Sequence, residues 1–497
     1  MLWMSAATGT RGPRAHPSAF SGARAPDSRR TRGAPRRASA ARAVAALGAV
    51  AVAVSSFLLA AAAAGEPTQY VPARIGGWPP WLSGPLRSFE WSLSSNTFQT
   101  LTLVMCGGYL LVLVGARTLP VGALALTIIA AHVAFVLGPP LLSQDVFGYL
   151  GFARMGALHG LDPYTHVAAE VPYDPSFVFV GWPFQHSPYG PLFTLASYAA
   201  APLGLGGGLW ALKVVSALAS LAAIALVAHA ASALGRSGRW AAAFVGLNPV
   251  LLELGVGGAH NDTLVMLAIA GALALGARAT GAAALAAGVG VKLSAGLSLP
   301  FLVLSRTGVR ARPGVAAGTV AALAAIAVIG VIGFGTNALG FLGAIGEQQQ
   351  LVAVHSIPAE TARLVGLSGT PTWWRHLFVF AFAAVCAFAL WRTARGADWR
   401  AAAGWTTLAL LCSTAWLLPW YALWALPLAA VCGERRLRAA TLVFCAYAVL
   451  IHLPLAEPLL TPARSGPRVP APGVPAEHGV ELTGFKVLEN GVLDLGR

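Results

Sequence analysis

The chain is expected to be an all-α polytopic membrane protein, a bundle of about 11–13 transmembrane helices with a large extracytoplasmic first loop. Three observations carry that expectation. Hydrophobic residues make up 57% of the 497 residues and charged ones only 10%, with a mean hydropathy of +0.68, the composition of a membrane protein. The apolar residues fall into successive runs near the length that spans a bilayer. The formal net charge of +15 comes from arginines in the first 42 residues and in short loops between the runs. That distribution reads as positive-inside topology with a basic cytoplasmic tail rather than as a nucleic-acid surface.

Residues 1–42 are rich in Arg, Pro, Ser and Ala and have almost no large apolar side chains, so a disordered cytoplasmic tail is expected. The run 43–64 resembles a signal-peptide core, yet it is long enough to span and its positive flank keeps the amino end inside. An uncleaved first helix is expected, with a long signal peptide as the alternative. Further spans are expected near 98–117, 121–142, 209–234, 240–257, 263–277, 314–334, 374–391, 401–418, 420–432 and 438–455. Arg117, Arg236/Arg239, Arg278, Arg306/Arg310/Arg312, Arg392/Arg395/Arg400 and Arg435/Arg436/Arg438 are all cytoplasmic if 143–208 stays outside. Residues 191–205, apolar but short and proline-flanked, then form an interfacial or re-entrant helix. Residues 280–305 carry basic residues at both ends and Lys292 in the middle, which favours two shorter helices breaking near Gly288–Lys292. Three regions follow: the tail 1–42, the helical domain 43–456, and a Pro-rich, weakly patterned tail 457–497 expected to be mobile.

With these orientations the working face is the outer one. Asp145 opens a helix at the membrane edge, where it either caps that helix or serves as a catalytic carboxylate. Arg154 lies on roughly the opposite side of the same helix and reads as a phosphate ligand or as a cation snorkelling to headgroups. Asp162-Pro163 is first a turn, and Tyr164, Trp182, His186 and Tyr189 make the loop aromatic, suited to a sugar face or to an interface belt. The turn Gly257-Gly258-Ala259-His260-Asn261-Asp262 offers an N-cap at Asn261 or Asp262, with His260 and its neighbours as partners for sugar hydroxyls. Lys292 sits deep in an apolar run and needs an anion, either a lipid-linked phosphate or Glu253. Arg363 could hold a phosphate from the long outer segment, and Trp420 and Tyr421 could form a sugar platform or an interface belt.

Cys106, Cys386, Cys412, Cys432 and Cys445 lie in or beside apolar runs without paired spacing, so neither a disulfide framework nor a zinc site is indicated. The chain has no DxD or ExxH pattern and no P-loop, which leaves a metal or a nucleotide donor unsupported. No cofactor is expected. An outward acid, a buried cation and aromatic surfaces without a nucleotide site are what a transferase using a membrane-borne activated sugar needs. The competing class is a lipid-intermediate transporter or flippase, which often shows duplicated halves; the two halves of this chain show no convincing repeat. A non-catalytic envelope scaffold is a third reading.

The segments SQDVFGYLGFARMGALHGLDPYTH, HSPYGPL, GGAHNDTLVMLAIAG, GVKLSAGLSLPFL and WLLPWYALWALPLA, in that order over roughly 45–455, resemble the polyprenol-phosphate-mannose-dependent alpha-1,6-mannosyltransferases of actinobacteria. These belong to the GT-C class of membrane glycosyltransferases. The resemblance implies a GT-C-like bundle whose first outer loop, 143–208, is catalytic. It also implies Asp145 as the base, polyprenyl phosphomannose as donor and a lipid-anchored mannan or other envelope glycan as acceptor. Inverting, alpha-1,6 transfer at the outer face of the plasma membrane follows, with Lys292, Arg154 and Arg363 facing the leaving phosphate. Many enzymes of that class pair two acids in this loop, whereas here the next acid after Asp145 is Asp162. Arabinose or glucose carried by the same lipid is the nearest alternative substrate.

Overall fold

The computed structural model describes residues 28–65, 79–89, 91, 94–305, 312–451 and 453, together with two short pieces at 485–487 and 493–495. The regular secondary structure of the described residues is helical apart from β1 (Phe485–Val487) and β2 (Leu493–Leu495), which pair antiparallel. The rest of the carboxyl-terminal stretch, residues 1–27, and Arg306 and Arg310 lie outside the described residues. Helix α1 (Ser28–Gly65) starts ahead of the boundary expected at 43, even though the added stretch includes Gly33 and Pro35.

Along the chain follow α2 (Pro80–Ser83), α3 (Ser95–Gly115), α4 (Val121–Leu137), α5 (Asp145–His159), α6 (Pro191–Ser197), α7 (Gly204–Ala233), α8 (Gly238–Gly246), α9 (Asp262–Leu275) and α10 (Ala279–Val291). The remainder comprises α11 (Leu299–Leu304), α12 (Arg312–Phe334), α13 (Gly340–Gln348), α14 (Ile357–Leu364), α15 (Thr372–Ala394), α16 (Trp399–Ser413), α17 (Leu426–Val431) and α18 (Arg435–Leu450). Among the described residues, five helical stretches are long and apolar enough to cross a bilayer: 38–65, 96–115, 191–233, 312–337 and 372–394. Shorter apolar helices fill the spaces between them, so the chain is an all-α polytopic membrane protein built in good part from interrupted helices.

Each interruption has a local cause. The span expected at 240–257 divides into α8 and a π-helical stretch, Val250–Gly257, bent by 58°. Pro249 has no N–H to continue α8, and the Asn248 side chain accepts from Val250 N at 3.0 Å, satisfying the donor left at the bend. The segment 191–205 is short, as expected: α6 and a 3-10 turn, Tyr198–Leu203, end at Gly204, whose φ of 70° and ψ of −178° fold the chain back into α7, so that a Cβ on Gly208 would lie 3.0 Å from the Ala200 carbonyl. The break expected at Gly288–Lys292 is present, since Lys292 leaves the helix with φ −155° and ψ 130°. Small residues allow close helix approach: a Cβ on Gly48 of α1 would run into the Gly108 carbonyl of α3.

That contact is testable against a neighbour. Gly107 faces open space, where an added Cβ would meet nothing within 4 Å. Gly48→Ala should lower the thermal unfolding midpoint of the detergent-solubilised protein, at a cost of about 1–3 kcal/mol for overpacking, while Gly107→Ala should not. Equal behaviour of the two would remove backbone proximity as the constraint between α1 and α3.

Candidate active site

At the start of α5, Ser143 rather than Asp145 supplies the local side-chain acceptor: its Oγ takes the Asp145 backbone N–H at 3.1 Å. The Asp145 carboxylate, on a residue 8% exposed, points instead at the Gly257–Asp262 turn, with Oδ2 3.4 Å from His260 Nδ1. His260 is fully buried and stacks on Trp420 with ring centroids 3.8 Å apart and planes 22° from parallel. The turn therefore presents its histidine to a carboxylate rather than to the surface. Asn261 provides no helix cap; its Oδ1 accepts from Tyr149 Oη at 3.3 Å, which in turn accepts the Asn261 N–H at 3.3 Å.

Asp262, the first residue of α9, is fully buried and takes both carboxylate oxygens to Lys292 Nζ, at 3.0 and 2.9 Å. Trp424 Nε1 donates to the same Oδ1 at 2.7 Å. Lys292 thus has an internal anion that the sequence does not identify. Glu253 is not that partner, since it accepts from Thr102 Oγ1 at 2.8 Å. The ammonium also lies 4.6 Å from the Tyr421 ring centroid, 5.6 Å from that of Trp424 and 6.0 Å from that of Tyr189. Tyr189 reaches it because Gly190 N donates to Val291 O at 2.9 Å, and a Cβ on Gly190 would come 2.5 Å from the Gly290 carbonyl. Trp420, stacked on the histidine that Asp145 meets, lies edge-on to Tyr421 at 6.4 Å, and Tyr421 stacks at 4.4 Å on Trp424, which binds Asp262, so the two acids flank one connected group of rings, the aromatic chamber.

The other sequence candidates have separate partners. Arg154 Nε binds Asp174 at 2.9 Å, and His159 Nε2 lies 2.8 Å from the same carboxylate, so Arg154 secures the outer loop. Asp162 makes a turn, accepting from Tyr164 N at 2.9 Å, and its other oxygen accepts from Asn337 Nδ2 at 3.0 Å. Tyr164 Oη donates to Tyr189 O at 2.8 Å, supporting the chamber from behind. His186 pairs with Glu347 at 3.0 Å on exposed surface. Arg363 pairs with Glu360, which His355 also meets at 2.7 Å, and donates to Val354 O at 2.9 Å. No contact among the described residues joins Arg363, His186 or Arg154 to Asp145 or Lys292. The described residues hold no group of three or more His, Cys, Asp or Glu side chains suited to a metal, and the five cysteines are free thiols.

Sequence reasoning missed two contributors. Lys213, deep in α7, carries the same intramembrane signal as Lys292 and was open to the same rule. Asp174 is an acid in an aromatic loop, but nothing in its spacing marks Arg154 as its partner.

Comparison with known proteins places these residues in context. Residues 42–308 match the family described as alpha-(1->6)-mannopyranosyltransferase, N-terminal domain, and residues 361–464 match an MptB C-terminal domain. The chain belongs to the alpha-(1->6)-mannopyranosyltransferase family. It is 28% identical over 338 residues to alpha-(1->6)-mannopyranosyltransferase A of Mycobacterium tuberculosis, covering 61% of this chain and 63% of that protein. It is 30% identical over 192 residues to the Corynebacterium glutamicum protein of the same name, covering 37% of this chain and 38% of that one. The matches thus span less than two thirds of either relative. No solved structure matches the chain. The family's amino-terminal match contains Asp145, His260, Asp262 and Lys292, whereas Trp420, Tyr421 and Trp424 fall in the carboxyl-terminal one. The chamber is closed by residues from both.

The outer-loop anchor carries a pH signature. Burial alone would raise the Asp174 pKa, but hydrogen bonds from Arg154, His159 and Ser176 outweigh it and hold the carboxyl well below the usual carboxylate range. A carboxyl depressed in the folded state stabilises the fold above its unfolded pKa of about 3.9, and that contribution drains away as pH falls below this value. Thermal midpoints of wild type and Asp174→Asn should therefore differ most near neutral pH and converge under acid. A constant gap would show that this carboxylate titrates alike in both states.

Proposed function

We propose that the protein is an inverting GT-C-type glycosyltransferase moving mannose from polyprenyl phosphomannose to a lipid-anchored mannan or another envelope glycan. The product linkage is alpha-1,6, and the chamber faces the outer side of the plasma membrane. The observation that carries this reading is the unequal treatment of two buried acids around one aromatic chamber. Asp262 is committed to Lys292 and Trp424. Asp145 has a histidine at 3.4 Å and a helix start already served by Ser143. Contrasting environments of this kind separate a structural carboxylate from a base.

In the proposed reaction an acceptor hydroxyl attacks the anomeric carbon as its proton passes to Asp145. The bond from that carbon to the phosphate oxygen breaks, and polyprenyl phosphate leaves with the electron pair. One displacement inverts the centre, so an alpha product requires a beta-linked donor. General-base assistance of this kind is worth roughly 10²–10⁴-fold. Asp262 takes two of the lysine's three N–H groups, leaving the third for a phosphate oxygen on which charge grows in the transition state. Lys292 alone takes the phosphate role, since Arg154 and Arg363 hold Asp174 and Glu360. Tyr189, Tyr421 and the Trp420 face supply the sugar-facing walls, and His260 orients Asp145 from behind.

Labelled polyprenyl phosphomannose and an alpha-mannoside acceptor, given to membranes at matched expression, test this directly. Asp145→Asn should lose roughly 10²-fold or more of the transfer. Lys292→Met should raise the donor KM while the protein remains inserted. Equal transfer by wild type and Asp145→Asn would assign the base elsewhere, and no transfer by either would discard the donor.

Orientation has its own measurement. On a background without the native cysteines, Tyr173→Cys, exposed in the outer loop, should react with a membrane-impermeant maleimide on intact cells. Arg395→Cys, exposed after α15, should react only after lysis. The opposite pattern would invert the topology.

A further inference from the structure

Lys213 lies near the first third of α7 with 0% exposure, and its hydrogen-bond partners are two backbone carbonyls, Pro139 O at 3.2 Å and Gly257 O at 3.0 Å. An ammonium inside an apolar bundle without a carboxylate partner is costly, so its retention calls for a role. Both carbonyls belong to segments that deliver the proposed catalytic pair. Pro139 lies on the short connection leading to Asp145, and Gly257 opens the turn that carries His260. The Gly257 carbonyl also accepts from Leu141 N at 3.2 Å, so one oxygen joins α7, the connection and the turn. One helical turn further along α7, Ser216 donates to Gly255 O at 3.0 Å and lies 3.4 Å from His260 O, gripping the same turn at its other end.

Backbone strain falls on the same two segments. Among the described residues, the two non-glycine positions with left-handed φ are Leu142 at 61° and Ala259 at 56°. One immediately precedes the Ser143–Asp145 helix start and the other immediately precedes His260. A left-handed conformation is unfavourable for residues with a Cβ and persists only where its surroundings over-determine it. A cation serving merely as a cap for the 250–257 helix end would account for Gly257 but not for Pro139 or for the paired strain.

We propose that Lys213 is a positioning residue: its ammonium ties the connection before Asp145 to the turn before His260 and so sets the approach of the Asp145 carboxylate to the histidine. The inference rests on the reading of Asp145 as base. The test uses the full chain in lipid nanodiscs as wild type, Lys213→Met and Lys213→Gln, each with and without Asp145→Asn. Hydrogen exchange is followed across the chain, and kcat and KM are measured with labelled polyprenyl phosphomannose.

Lys213→Met should speed exchange of the Leu141 and His260 amides while the rest of the bundle is unchanged. It should lower kcat by roughly ten- to a hundredfold at near-constant donor KM, the range expected for a displaced catalytic group. It should cost nothing further in the Asp145→Asn background, because both changes act on one group. Lys213→Gln, which retains an N–H donor, should fall between and keeps the comparison open if the methionine variant does not fold. Unchanged exchange in both segments, or an equal loss from Lys213→Met with and without Asp145→Asn, would overturn the proposal. If the wild type itself transfers no mannose, the donor reading fails and the exchange comparison alone decides the role of Lys213.

Discussion

The ion pair between Asp262 and Lys292 is the constraint on which the chamber depends. Two charges withdrawn from water are tolerated only with close geometry and further hydrogen bonds, and here the carboxylate takes both oxygens to the lysine and one to Trp424 as well. Helices α9 and α10 form a hairpin, which returns Lys292 to the level of Asp262. Each charge also lies at the helix end that favours it, the acid at the start of α9 and the cation just past the end of α10. Losing either partner would leave the other unpaired among Tyr189, Tyr421 and Trp424. Much of the local backbone is fixed by keeping them together.

The chamber is made almost wholly of helix ends. The start of α5, the end of the 250–257 π-helix, the start of α9, the break after α10 and the 3-10 turn at Pro419–Trp424 all meet around it. Irregular backbone inside a membrane protein survives only where neighbouring groups satisfy its N–H and C=O groups. Here Gly190 N is taken by Val291 O, Leu141 N by Gly257 O, and Gly257 O again by Lys213. The π-helical stretch fits that pattern, since such distortions concentrate where function needs a displaced turn. The long regular helices α12 and α15 present largely exposed apolar surface, and α12 packs against α10 and α6.

Much of this was legible in the sequence, but only to the depth that local physics reaches. Hydropathy located the apolar helices, and the rule against buried charge singled out Asp145 and Lys292. Basic residues at both ends of 280–305 pointed to the break at Lys292, because a cation in mid-run cannot be accommodated in a straight, lipid-facing helix. Partners were not legible. Glu253 and a lipid phosphate were the anions in view for Lys292, whereas the hairpin register selects Asp262. Arg154 read as a phosphate ligand, yet the loop folds Asp174 onto it. His260 read as a hydroxyl partner, while stacking on Trp420 turns it towards Asp145. Each of these outcomes depends on tertiary register, which neither periodicity nor spacing encodes.

The placement of the charges also bears on why two acids can share the chamber with an anionic donor. Before transfer, the proposed reaction has one negative charge on Asp145, a neutral Asp262–Lys292 pair and a singly charged phosphodiester. Afterwards Asp145 is protonated and the released phosphate monoester tends towards two charges. The total is conserved, and what moves is its location, away from Asp145 and towards the side where Lys292 keeps an N–H available. The lysine attracts the phosphate in proportion to the charge it carries, so it holds the bound donor and holds the transition state more strongly. Asp262 lowers the lysine's potential for bound donor and transition state alike, and in return makes the buried ammonium tolerable and fixes where it stands. On this argument Asp262 is needed for the lysine's burial and placement, and the lysine's own charge for the discrimination between bound donor and transition state.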